Sequence, residues 1–303
     1  HGQLRDYIAN RTNADGSDLG GRLVDVFQTL NTPKNQRQHS LDEDLARLEY
    51  VNGGLFASAI RTPHFTATMR KDLLKAMELD WSKVSPAIFG SMFQGVMDAK
   101  ERRNLGAHYT SEKNILRVIK PLFLDDLYAE FATIVHSSTK RADKLRAFQD
   151  KLAGLKFLDP ACGSGNFLVI TYRELRKLEH KVVQQINKAN KKADVNTMDW
   201  LAASEHGQLK VNVDQMYGIE IEEFPSLIAQ TALWLTDQQM NMEFSGLSGK
   251  TFKRLPLTKS ATIMNANALT ADWNDVIAAK DLDYILGNPP FVGSRTMSRE
   301  QKA

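Results

Sequence analysis

Cysteine is nearly absent: Cys162 is the only one in 303 residues. That excludes an internal disulfide and any zinc site built mainly from thiolates, and it suits a reducing compartment, the cytoplasm. Long apolar runs are missing as well. No stretch approaches the roughly 18 residues that a membrane-spanning helix needs, so none is expected. Nor is there a strong excess of one charge, with 39 Lys plus Arg against 36 Asp plus Glu. Charge alone therefore does not mark a nucleic-acid binder. Basic residues do gather at 140–156 and 188–192, and a solvated helix face explains such clusters as well as a phosphate track does. What is present is an ordinary globular composition, 42% hydrophobic and 25% charged. The length suffices for about two domains. The chain starts at His1 and stops at Ala303, just after a strong motif, which is expected of a segment from a longer protein.

Residues 1–105 are expected to be a helical domain. Leu23, Val26, Phe27 and Leu30 have helical spacing, as do Leu73, Leu74 and Met77. A turn over 80–86 and a helix around 88–98 follow. From about 106 the pattern changes to alternating helix and strand. Ser111 is a candidate cap for a helix starting at Glu112, and Pro121 bends or restarts it. Residues 155–158 read as a strand ending at Asp159. A glycine turn follows, then a long helix with Leu168, Tyr172, Leu175, Leu178, Val182 and Ile186 on one face. A second strand, 216–219, ends at Glu220, and Pro225 suits the first turn of the next helix. Residues 262–266 and 282–286 read as third and fourth strands, and 244–260 as a surface loop. This alternation predicts an α/β fold, a doubly wound Rossmann-like parallel sheet of about four strands. Its ligand belongs at the carboxyl ends of those strands.

Three strings carry chemistry. The first is Asp159-Pro160-Ala161-Cys162-Gly163-Ser164-Gly165-Asn166-Phe167, between strand and helix. Glycine there permits a sharp turn and close approach of a ligand to the backbone. The leading acid suits a cationic group such as an ammonium. No Lys-Ser/Thr pair closes the turn, so it is not a phosphate loop. The second is Glu220, which ends the next strand, where a carboxylate can accept both ribose hydroxyls. A helix N-terminal acid is the blander reading, and it suits Glu222 and Glu223 better. The third is Asn288-Pro289-Pro290-Phe291, directly after the fourth strand. Two prolines stiffen the backbone and remove two amide donors. The Asn288 side chain and the Pro289 carbonyl then offer acceptors to one amino group, and Phe291 offers a face to a planar ring.

Together these strings resemble class I, S-adenosylmethionine-dependent amino-methyltransferases. Their order and the Asn-Pro-Pro-Phe string resemble N6-adenine DNA methyltransferases. Leu105-Gly106-Ala107-His108-Tyr109-Thr110-Ser111 resembles that family's extra cofactor motif, with Ser111 where the family commonly has Pro. The lead Asp80-Trp81-Ser82-Lys83-Val84-Ser85-Pro86-Ala87-Ile88-Phe89-Gly90 resembles the spacer of MmeI-like type IIG/IIL restriction-modification enzymes. The resemblance implies a helical spacer over 1–105 and the N-terminal part of the methyltransferase domain over 106–303. It implies S-adenosylmethionine as cofactor, with Thr110, Asp159, Ala161, Gly163 and Gly165 on its methionine side. Glu220 and Ile221 then hold ribose and adenine, and Asn267 stands where the family often has Asp near the adenine amino group. Asn288, Pro289 and Phe291 are the implied catalytic residues, Asn288 also lining the cofactor. Double-stranded DNA is the implied partner, held mostly by regions outside this stretch, and the resemblance allows fused nuclease and target-recognition domains in the whole protein.

The residues narrow the chemistry further. Methylation at cytosine C5 needs a thiol nucleophile beside its catalytic proline, and the one thiol sits in the glycine turn. Glu179-His180-Lys181 matches one nuclease spacing, but it falls mid-helix and reads as chance. An amino-methyltransferase acting on RNA or on a protein glutamine is the alternative enzyme reading, and a non-catalytic cofactor-binding scaffold is another. The stretch alone is expected to transfer methyl groups slowly or not at all.

Overall fold

The computed structural model describes residues 2–51, 56, 62–80, 84, 85, 88, 110–192, 209–248 and 260–289. Contacts divide the chain into two compact units, His1–Val84 with Lys253–Ser260, and Ser85–Phe252 with Ala261–Ala303. The boundary expected near 105, most of the 80–90 spacer string and the 88–98 helix (apart from Ile88) lie outside the described residues.

The first unit is helical: α1 (Gln3–Arg11), α2 (Leu19–Asn31), the short α3 (Glu43–Ala46) and α4 (Ala67–Ala76). Its core joins Tyr7, Ile8, Leu19, Leu23, Val26, Leu45 and Leu48, with Phe27, Leu30, Leu73, Leu74 and Met77 packed around them. The helical spacing read at 23–30 and 73–77 is therefore the buried stripe of α2 and the α4 region. Two arginines close helix ends whose carbonyls lack intrahelical partners. Arg70 donates to the carbonyls of Ile8, Ala9 and Thr12, and Arg37 to those of Thr29 and Thr32.

The second unit holds α5 (Glu112–Ile119), α6 (Asp125–Val135), α7 (Arg141–Gly154), β1 (Phe157–Asp159), α8 (Asn166–Lys192), β2 (Met216–Glu220), α9 (Glu223–Ser248), β3 (Thr262–Asn265) and β4 (Tyr284–Ile285). All strand pairs are parallel, in the order β3-β2-β1-β4. This is the predicted α/β sheet, preceded in the chain by helices. The expected stripe of α8 is buried from Leu168 to Ile186, and the helix packs on α7 and α9. Pro121 lies in a π-helical turn, Lys120–Leu124, that joins α5 to α6. Proline cannot donate to the preceding turn, and the wider turn absorbs that lost bond.

Three expectations need correction. The 244–260 segment is not a loop from its start, because α9 runs on to Ser248 and Phe244 is buried against Val183 and Leu209. Packing of one aromatic outweighs the Gly and Ser around it. Ser111 does hold the N-cap position of α5, but its side chain makes no capping bond. The fourth strand is short: Ala279–Asp281 forms a 3-10 turn, and the pairing covers Tyr284 and Ile285. The basic residues of α7 are a solvated face, with ion pairs Lys151–Glu130 and Arg146–Asp143.

Candidate active site

β1 carries Asp159 to its carboxyl end, where the residue is 1% exposed. The chain then turns through Gly163 (φ 54°) and Gly165 (φ 80°), both in the left-handed region that favours glycine. A side chain on Gly165 would also strike Ala229 of α9, at 2.9 Å from its Cβ, whereas the space over Gly163 is open. The turn is pinned by Cys162 N–H donating to the Ile219 carbonyl at 3.0 Å and Gly165 N–H to the Cys162 carbonyl at 2.8 Å. Ala161 N–H donates to Asp159 Oδ1 at 3.1 Å.

Glu220 ends β2 and reaches across to this turn. Its Oε2 accepts from Gly163 N–H at 2.8 Å, and its Oε1 from Glu222 N–H at 3.0 Å. Behind it, Asn265 Nδ2 donates to the carbonyls of Glu220 and Ile221, each at 2.9 Å. That brace fixes the path of the backbone and leaves the Ile221 side chain 56% exposed beside the carboxylate. Asn267 is exposed, and its Oδ1 closes a local turn by accepting from Leu269 N–H at 3.0 Å. It offers its amide N–H₂ more readily than a free acceptor.

The electrostatics follow from burial. Asp159 is pushed up to about 7, first by loss of water, with a further rise from the Glu220 charge against the bond from Ala161. Glu220 is raised as well, again mainly by burial. Two carboxyl groups thus share one turn, Asp159 buried and Glu220 half-buried, and a cation placed there would favour ionisation of both. The Cys162 thiol is driven well above its ordinary range by burial and by both carboxyl groups. It is no thiolate nucleophile, in keeping with the exclusion of C5 chemistry.

β4 brings in the other half. Gly287 lies so close to Asp159 that a side-chain carbon would sit 2.4 Å from Oδ1. The next residue, Asn288, donates through Nδ2 to the Thr110 hydroxyl at 3.1 Å. Thr110, Asp159, Ala161, Gly163 and Glu220 with Gly287 and Asn288 therefore gather at the carboxyl ends of β1, β2 and β4. Pro289 follows, exposed, whereas Phe291 lies outside the described residues. The residues present fit S-adenosylmethionine: an open backbone at Gly163, a buried and a half-buried carboxyl group for a cation, and an exposed apolar side chain beside Glu220. Among the described residues no group of His, Cys, Asp or Glu is arranged to hold a metal ion. None of their helices is long and apolar enough to cross a membrane.

Sequence reasoning missed a buried polar network between α8 and α9. Arg176 Nη1 donates to Asp237 Oδ1 and to Tyr172 Oη at 2.6 and 2.7 Å, and Nη2 to Asn241 Oδ1 at 2.8 Å. An arginine on an otherwise apolar stripe was the available signal. The nuclease-like string dissolves into the same core. Glu179 accepts from Gln149 and from the backbone N–H of Lys210 and Val211. His180 is held neutral, down to about 3, by burial and by Arg176. Lys181 lies over the Tyr128 ring.

Comparison with known proteins agrees with this architecture. Residues 135–303 match the family described as "MmeI, DNA-methyltransferase domain", and residues 1–56 match "MmeI, helicase spacer domain". The chain is 37% identical over 302 residues to DNA methyltransferase A of Bacillus subtilis (strain 168), covering 98% of this chain and 32% of that protein. It is 23% identical over 250 residues to a putative type II restriction enzyme and methyltransferase of Methanocaldococcus jannaschii, covering 69% of this chain and 20% of that one. The structure of the type IIL restriction-modification enzyme MmeI in complex with DNA superposes with a TM-score of 0.90 at 51% identity, over 99% of this chain and 38% of that one. The chain thus spans between a fifth and two fifths of the length of these relatives. By the match over 135–303 and the similarity along almost its whole length, it belongs to the MmeI DNA-methyltransferase family.

Proposed function

We propose that these residues form the cofactor-binding part of an enzyme that methylates N6 of an adenine extruded from double-stranded DNA, within a restriction-modification system. The carrying observation is the meeting of Asp159, Glu220 and Asn288 at the carboxyl end of a parallel sheet. In this reading residues 1–105 are a helical spacer and 106–303 the N-terminal part of the methyltransferase. Target-recognition and nuclease regions belong to other parts of the whole protein, which works in the cytoplasm. Asp159 and Thr110 face the amino-acid end of S-adenosylmethionine, with Ala161, Gly163 and Gly165 forming the floor. Glu220 takes the ribose hydroxyls, Ile221 packs on the adenine, and Asn267 donates to its edge. Bound there, the cofactor supplies a methyl group on a sulfonium.

The rest is positioning. An exocyclic amine is a weak nucleophile because its lone pair is spread into the ring. Asn288 Oδ1 and the Pro289 carbonyl accept its two N–H groups and hold the nitrogen pyramidal, so the protein contributes orientation and electrostatics without a covalent intermediate. Extruding a base costs a few kcal/mol. Stacking on Phe291 returns about 1–3 kcal/mol, and contacts to the DNA backbone supply the remainder.

The test is product identity. Full-length protein, DNA and labelled cofactor are incubated, the DNA is digested to nucleosides, and the labelled species is identified by mass spectrometry. N6-methyladenine is expected, with loss of product in Asn288→Ala. N4-methylcytosine, or label confined to RNA or protein, would overturn the assignment.

A further inference from the structure

Thr110 and Asn288 are 178 residues apart in the chain, and their side chains are joined by one hydrogen bond. An asparagine amide has a donor end and an acceptor end of nearly equal shape, and half a turn about its last bond exchanges them. The exchange matters here. An exocyclic amine presents N–H donors, so only the Oδ1 end can hold it. The Nδ2 end would set donor against donor.

We infer that Thr110 is a positioning residue for the transfer, fixing Asn288 with Oδ1 toward the incoming amine. This rests on the function proposed above. With Nδ2 committed to Thr110 at 3.1 Å, Oδ1 is the end left to face a ligand, and among the described residues the Asn288 side chain makes no other hydrogen bond. Both partners are held from behind. Thr110 leads directly into α5, whose Ile115 and Ile119 are fully buried and whose Glu112 pairs with Arg173 of α8 at 2.5 Å. Asn288 follows Gly287, which is seated against the Asp159 carboxyl group.

A hydroxyl can both donate and accept, so the orientation is decided by where the Thr110 hydrogen goes. Given to an anionic acceptor, such as the carboxylate of a bound amino acid, it leaves the Thr110 oxygen as an acceptor only. The reversed amide then loses its bond. Loading of the amino-acid end of the site thereby sets the amide that receives the target, a coupling through one side-chain oxygen.

The experiment uses full-length protein, single-turnover methyl transfer to plasmid DNA at saturating S-adenosylmethionine, and calorimetric Kd values for its demethylated product. Thr110→Val and Thr110→Ser are made in the wild-type and Asn288→Asp backgrounds. A carboxylate has an acceptor at either end and hence no wrong orientation. Losing one hydrogen bond predicts that Thr110→Val slows the wild-type step by about tenfold while Thr110→Ser stays within about threefold. In the Asn288→Asp background the same Thr110→Val change should alter the rate by less than about threefold. The Kd change caused by Thr110→Val should be the same in both backgrounds. Equal slowing in both, or a shift in Kd with no loss of the saturated rate, overturns the inference and leaves the proposed function standing. If Asn288→Asp abolishes transfer, the decision passes to the wild-type background: a fall in saturated rate rescued by serine supports the inference, and a change in Kd alone refutes it. Absence of DNA methylation by the unaltered protein removes the function itself, and the inference with it.

Discussion

Replacing Asp159 by Asn separates the energetic burden of the carboxyl group at the glycine turn from its proposed use. The two side chains are nearly isosteric, and Asn Oδ1 can still accept from Ala161 N–H. What changes is the charge. In the folded chain Asp159 titrates at about 7, against an ordinary 3.8. The native state therefore binds its proton more tightly than the unfolded chain, and stability is lost as pH rises between those two values. At 1.36 kcal/mol per pH unit, the full gap corresponds to about 4 kcal/mol, of which about 2–3 kcal/mol falls between pH 5 and pH 8. Urea unfolding of the wild type and of Asp159→Asn at both pH values gives the comparison, since other titrating groups are common to the two. Asn is expected to be the more stable at pH 8 by that margin relative to pH 5. Cofactor binding should move the opposite way. Wild-type affinity rises with pH up to about 7 as the carboxylate ionises to meet the cation, and the Asn variant binds weakly at every pH. A wild-type-to-Asn stability difference that does not change with pH, or an Asn variant that keeps full affinity, would refute the reasoning.

Gly287→Ala would place a carbon 2.4 Å from Asp159 Oδ1, so either the carboxyl group or the Asn288 loop must move. A loss of about 1–3 kcal/mol in denaturant unfolding is expected, with weaker cofactor binding by calorimetry. Arg176→Met leaves Asp237 buried without its cation and should destabilise by about 3–5 kcal/mol in the same assay. Adding Asp237→Leu should recover much of that loss.

Local patterns were legible and long-range partnerships were not. The string from Asp159 to Phe167 announces its turn because strand, acid and glycines are contiguous, and the buried stripe of α8 follows from helical spacing alone. Glu220 was singled out by its place at the end of the next strand, but its bond to Gly163 N–H was not foreseeable there. Nothing near Thr110 in the chain points to Asn288, nor does anything near Glu220 reveal the brace from Asn265. Each is a contact that only the winding of the sheet creates. The network around Arg176 was hidden for another reason, since Tyr172, Arg176 and Asp237 each look ordinary until α8 and α9 are packed together. The misplaced loop at 244 shows composition yielding to burial of Phe244.

The strand order β3-β2-β1-β4 also has a consequence for how such a site can diversify. From β1 the chain winds outward through β2 to β3, then crosses to β4 on the opposite flank. Ligand crevices in sheets of this kind open where the winding reverses. Here Asp159 stands on one lip of that crevice and Gly287 on the other. Under the function proposed above, the flank built from Glu220, Ile221, Asn265 and Asn267 would address the methyl donor, and the flank beginning at Asn288 the acceptor. On that proposal, sequence change after β4 would alter the acceptor side while the donor side stands still. Asp159, buried at the end of β1 with Gly287 close against its carboxyl group, has no such freedom.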